Sequence, residues 1–155
     1  MTTTIVLTPD HINSLDLSPA NNVIDDSLKI TLSGEQPVQF TIQWPRTEDD
    51  IRELSEIPEI RLWFVRLDAA YPWFPLLLDP KSGELARYCA MLVPHQFHRT
   101  EGIQYNPEAL EIFVMHKIFI FSDWLKSQRS GSLSRLQAFA QLFGYDLDQQ
   151  FLESL

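Results

Sequence analysis

Asn106-Pro107-Glu108 constrains this chain more than any other short segment. Asparagine at an N-cap accepts from the free N–H groups of a first helical turn, and proline just inside has no N–H to satisfy. The acid beside them suits the positive end of the helix dipole. The helix they open should run to about Ser127, with Lys126 and Arg129 suiting its C-terminal end. Projected at about 100° per residue, Glu108, Glu111, His116, Ser122, Asp123, Lys126 and Ser127 share a polar arc, which Ile112, Met115 and Phe119 interrupt. Such a helix is apolar nearly all round and belongs at the centre of a fold. Lys117 falls in the opposite arc, among Leu110, Phe113, Phe121 and Trp124, and its stem is expected to lie along apolar surface with the ammonium reaching water. After Gly131, Ser132 can cap a second helix through Phe143, with Gly144 as its stop. Leu133, Leu136, Phe139, Ala140 and Phe143 give that helix its apolar face, and a short helix over Leu147–Leu152 follows.

The first half reads differently. Thr2–Thr8 is β-branched and stops at Pro9, which predicts a strand. Asp10–Ser27 is polar and irregular, with Ser18-Pro19 opening a short helical turn. Leu28–Ser33 and Val38–Trp44 flank Gly34-Glu35-Gln36-Pro37 and read as a hairpin, since Ile30/Leu32 and Phe40/Ile42 give each arm an alternating face. An acidic helix is expected from Thr47 to Ile57, ended by Pro58. In Ile60–Tyr71, Ile60, Leu62 and Phe64 alternate with Arg61, Trp63 and Val65, which predicts another strand. Phe74–Asp79 and Glu84–Val93 enclose Pro80-Lys81-Ser82-Gly83 as a second hairpin, and Pro94–Asn106 reads as a long loop. Strands first and helices last, with hairpins between, predict an α+β two-layer sandwich. Its mainly antiparallel sheet would be covered by the C-terminal helices, in a single domain over residues 1–155.

Charge narrows the function classes. The net charge is −9, and it is uneven: residues 1–80 hold 13 acids and 5 bases, residues 81–155 hold 8 and 7. Thr47–Glu59 alone carries six acids against Arg52. This balance disfavours a nucleic-acid partner and reads as a solvated, steering flank. A single cysteine, Cys89, excludes a disulfide framework and a cysteine-rich metal site within the chain; an inert buried thiol is expected. The longest apolar region, Ala109–Leu125, carries Glu111, His116, Lys117 and Asp123, so no membrane insertion is expected. No signal or transit segment is visible at the N-terminus, and a soluble intracellular protein is expected.

Catalytic motifs are missing: five scattered glycines form no phosphate loop, dinucleotide fingerprint or nucleophile elbow. Arg61, Arg66, Asp68 and Arg87 interrupt apolar sequence and read first as structural ion pairs or rim charges, with Arg66 and Asp68 sharing one sheet face. The alternative to a non-enzyme is a small metal-dependent enzyme or ligand-binding domain centred on His95, His98, Glu101 and His116, although the H-x-x-H spacing suits no helical ligand pair. A stronger candidate is a partner-binding surface of aromatic, arginine and amide side chains: Asp68, Tyr71, Trp73, His95, Gln96, Arg99, Glu101, Gln104, Tyr105 and Asn106. Ile112, Met115 and Phe119 offer a homodimer seam as a third reading.

Three stretches carry a resemblance: IRLWFVRLDAAYPWF at Ile60–Phe74, LVPHQF at Leu92–Phe97 and RTEGIQYNPEALEIFVMHK at Arg99–Lys117. Together they resemble the chlororespiratory reduction 6 family of cyanobacteria and chloroplasts, over roughly residues 55–130. The resemblance implies a non-catalytic assembly factor for the photosynthetic NAD(P)H dehydrogenase-like complex. Its partner would be an NdhI-type iron–sulfur subunit of the hydrophilic arm, and it would carry no cofactor or metal of its own. Plant members act in the stroma; without a transit peptide, this chain looks like a cytoplasmic cyanobacterial member.

Overall fold

Strand β1 (Thr3–Leu7) lies beside β2 (Val38–Ile42) in parallel, with Ile5 opposite Phe40. The computed structural model describes residues 2–31, 38–79, 83–93, 95–128 and 133–155, and at 27–31, 95–98, 102, 103 and 105 the backbone alone. Parallel neighbours cannot be joined by a tight turn and need a crossover of a dozen or more residues. Helices α1 (Pro9–Asn13) and α2 (Ser18–Thr31) occupy that crossover. Thr8 caps α1, and His11 reaches back to the Thr8 backbone N–H at 3.2 Å. The expected arm Leu28–Ser33 therefore ends a helix as far as Thr31, and the turn at 34–37 lies outside the described residues.

The expected antiparallel sandwich is overturned. The chain is mostly helical, with one two-stranded parallel sheet and one two-stranded hairpin among the described residues. The largest change is at Ile60–Tyr71, which is helix α3 (Pro58–Ala70). Its buried positions are Ile60, Trp63, Phe64 and Leu67, spaced i, i+3, i+4, i+7, while Leu62 and Val65 face solvent. The alternation of Ile60, Leu62 and Phe64 matched a strand by sharing two positions with this helical face. Arg66 and Asp68 consequently point to opposite sides, about 200° apart. Pro58 begins α3 at its first position instead of ending an earlier helix.

The acidic stretch before it forms no α-helix. Asp50 spends its carboxylate on Arg52, at 2.9 Å to both Nε and Nη2 and 3.2 Å to the backbone N–H, a local turn that competes with helical pairing. Acids at 50, 53, 56 and 59 would also have repelled one another along one helix face. Only a 3-10 turn forms, at Leu54–Glu56. Phe74–Leu77 is another such turn, followed by a single parallel bridge from Leu78 to Val38. Glu84–Val93 is α4 (Glu84–Leu92), with Leu85, Tyr88, Cys89 and Met91 buried. Of the expected connector, residues 80–82 lie outside the described set.

Two units form by internal contact, Met1–Met91 and Leu92–Leu155. The first is built on aromatic rings. Phe40 of β2 meets Trp63, Phe64 and Tyr88 edge-on at centroid distances of 6.1, 5.1 and 5.1 Å, and Phe64 stacks on Tyr88 at 4.9 Å. Both polar ring atoms are satisfied: Trp63 Nε1 donates to the Asp16 carbonyl at 2.8 Å, and Tyr88 Oη donates to the Phe40 carbonyl at 2.7 Å. Burial, reinforced by Glu84, pushes the Tyr88 phenol well above its ordinary range.

In the second unit, β3 (His95–His98) and β4 (Gly102–Tyr105) pair antiparallel within the segment expected to be a loop. Helix α5 (Pro107–Ser127) has the expected cap and the expected end. Asn106 Oδ1 accepts from the Glu108 and Ala109 N–H groups at 3.1 and 3.3 Å. Helix α6 (Leu133–Leu142) packs Phe139 against Phe121 at 5.2 Å. It ends where Gly144 takes φ +84°, with Gly144 N–H bound to the Gln141 carbonyl and Tyr145 N–H to that of Ala140. The proposed cap Ser132 lies outside the described residues. Helix α7 (Gln149–Ser154) closes the chain, capped by Asp148.

Candidate functional site

Alternation along the chain between Pro94 and Asn106 is weak, yet the β3–β4 pairing gathers most of the sequence-derived partner residues onto one hairpin. His95 stands opposite Tyr105 and Gln96 opposite Gln104. Arg99, Thr100 and Glu101 form the connection between the strands, and Arg99 and Glu101 are exposed. Gln104 Nε2 donates to Glu101 Oε2 at 2.6 Å, which ties the base of the tip to β4. A guanidinium, a carboxylate and an amide are thus offered to solvent within a few residues. Such a tip can recognise backbone and side-chain groups of another protein by hydrogen bonding. Asn106 follows directly, with its amide oxygen engaged in capping α5.

Asp68, Tyr71 and Trp73 belong to the first unit, at the C-terminal end of α3 and just beyond, and all three are half-buried. Tyr71 Oη donates to Asn21 Oδ1 at 3.3 Å, which ties the end of α3 to α2. Burial raises the Tyr71 phenol, with the Asp25 charge adding to it.

Of the histidine-centred alternative, the side chains of Glu101 and His116 are described, and both are exposed. His95 and His98 lie on β3, where the backbone alone is described. Among the described residues, no group of three His, Cys, Asp or Glu is placed to hold a metal ion. Cys89 is fully buried in α4. No helix among the described residues is long and apolar enough to cross a membrane.

Lys117 departs from its expected exposure. It is 2% exposed, on the face of α5 that also buries Val114, Ile118 and Phe121. Its ammonium lies 5.4 Å from the centroid of the Phe113 ring, one turn earlier. That i, i+4 spacing gives the charge an aromatic face inside the fold, in place of water. Helical projection places Lys117 on this arc, and the structure keeps it there instead of letting its stem reach water.

No solved structure matches this fold. The family model for chlororespiratory reduction 6 matches residues 7–154, nearly the whole chain and well beyond the three stretches that suggested it. The chain belongs to the chlororespiratory reduction 6 family, a family of assembly factors linked to the NAD(P)H dehydrogenase-like complex of chlororespiration.

Proposed function

We propose that this chain is a non-catalytic maturation factor that binds an NdhI-type iron–sulfur subunit of the peripheral arm before that subunit joins the complex. The observation that carries the reading is family membership across residues 7–154. The β3–β4 hairpin supports it by offering Arg99 and Glu101 at an exposed tip. In this reading the tip, with His95, Gln96, Gln104 and Tyr105 on its strands, touches the client. Asp68, Tyr71 and Trp73, at the end of α3, are also part of the client-binding set. With one cysteine, and that one buried, the chain does not itself supply the thiolate set an iron–sulfur cluster needs, so the cluster stays a property of the client. Its place of action is the cytoplasm of a cyanobacterial cell, with neither nucleic acid nor membrane insertion involved.

The test is co-purification of the iron–sulfur subunit with the tagged full-length chain, compared with Arg99→Glu and Glu101→Lys variants whose helical circular dichroism is unchanged. Loss of the client from the folded variants is expected. Retention at the wild-type level in both variants overturns the hairpin as the client contact.

A further inference from the structure

The outer face of α5 is unusually apolar for a surface. Ile112 is 63% exposed and Phe119 47%, with Met115 half-buried between them. Their i, i+3, i+7 spacing makes one continuous seam about two turns long. Acids stand at both ends, with exposed Glu108 and Glu111 at the start and exposed Asp123 at the finish. Lys126 is turned to the carbonyl of the C-terminal residue Leu155, so its ammonium is already engaged beyond the seam.

We propose that this face docks an amphipathic helix of another protein, one whose apolar stripe is flanked by lysine or arginine. Such a helix covers Ile112, Met115 and Phe119 while its bases meet Glu108, Glu111 and Asp123. Charge argues against a second copy as the occupant. A two-fold antiparallel pairing centred on the seam sets Glu108 of one copy opposite Asp123 of the other, twice over. A parallel two-fold sets each acid beside its own equivalent. Either arrangement brings like charges together where an apolar contact excludes water. The inference rests on α5 alone and is independent of the client assigned to the hairpin.

The experiment titrates the full-length chain against three fluorescent synthetic helices of equal length. One has a leucine stripe at i, i+3, i+7 with lysine flanks, one the same stripe with glutamate flanks, and one the lysine composition in scrambled order. The expected result is binding of the lysine-flanked helix at least about tenfold tighter than the other two, weakening as salt screens the flanks. Ile112→Ser with Phe119→Ser should lower that affinity about tenfold or more. Glu111→Lys with Asp123→Lys should remove the preference for basic flanks. All these positions are exposed, and unchanged circular dichroism establishes that the variants fold. Equal binding of the scrambled helix, or no binding of the lysine-flanked one, overturns the proposal. So does a wild-type dimer in light scattering that the double serine variant converts to monomer, which assigns the seam to a second copy.

Discussion

Replacing Trp63 and replacing Leu62 should have opposite consequences from those of a strand at Ile60–Tyr71. In α3, Trp63 is fully buried and touches Phe40 and Phe64, while Leu62 is 47% exposed. Trp63→Phe keeps an aromatic ring but removes the indole N–H that donates to the Asp16 carbonyl. The lost hydrogen bond costs about 1 kcal/mol, and the space vacated by the second ring adds about 1–2 kcal/mol. A total of about 2–3 kcal/mol lowers Tm by roughly 4–12 °C for a chain of this size. Leu62→Ala gives up side-chain surface that is already half in water, and alanine is the better helix former. Its cost should stay below about 1 kcal/mol. Urea unfolding followed by circular dichroism reads both variants on one scale. If Leu62→Ala destabilises more than Trp63→Phe, the helical face is wrong and the reasoning falls with it.

Asn106→Ala removes the oxygen that accepts from two first-turn N–H groups and should cost about 1 kcal/mol in the same urea assay. Gly144→Ala forces a Cβ into φ +84° where no atom crowds it, so its cost of about 1–2 kcal/mol is purely conformational, and Gly144→Asn should cost less. The Tyr88 phenol is held protonated by burial in the fold, so its contribution is complete below the ordinary tyrosine range and declines as pH rises through it. Stability should fall steeply in strong alkali, and Tyr88→Phe should flatten that part of the pH profile; an unchanged slope refutes the role. Asp50, held down at about 2 by Arg52, works the other way: its contribution is present above the usual carboxylate range and disappears as pH drops toward 2. Proton titration of Asp50 by NMR in wild type and in Arg52→Gln checks the assignment.

How far the residues foretold the fold depended on whether a signal was local. Asn106, Pro107 and Gly144 act through bonds within a few residues, and the helix start and stop they imply appear where expected. The first half turns on distant partners. Phe40 selects helical faces of α3 and α4 through ring contacts across more than twenty residues, which a period-two scan of Ile60–Phe64 does not register. Parallel pairing of Thr3–Leu7 with Val38–Ile42 likewise leaves no turn motif to read. The candidate residues were legible by type, since Arg99, Gln104 and Tyr105 fall within Pro94–Asn106. The hairpin that orders them was not, because its strands hold few β-branched residues. The arc of Lys117 follows from helical projection, but its burial beside Phe113 depends on tertiary packing that the sequence does not display.

A role in assembly is decided by the fate of the client in cells lacking this chain. Native gel separation with quantification of the iron–sulfur subunit would compare the deletion strain, the strain restored with the wild-type chain, and the strain restored with Arg99→Glu. Without the chain the subunit should fail to reach the assembled complex, the wild type should restore it, and Arg99→Glu should restore it poorly despite normal folding. Full incorporation of the subunit in the deletion strain would rule out this role.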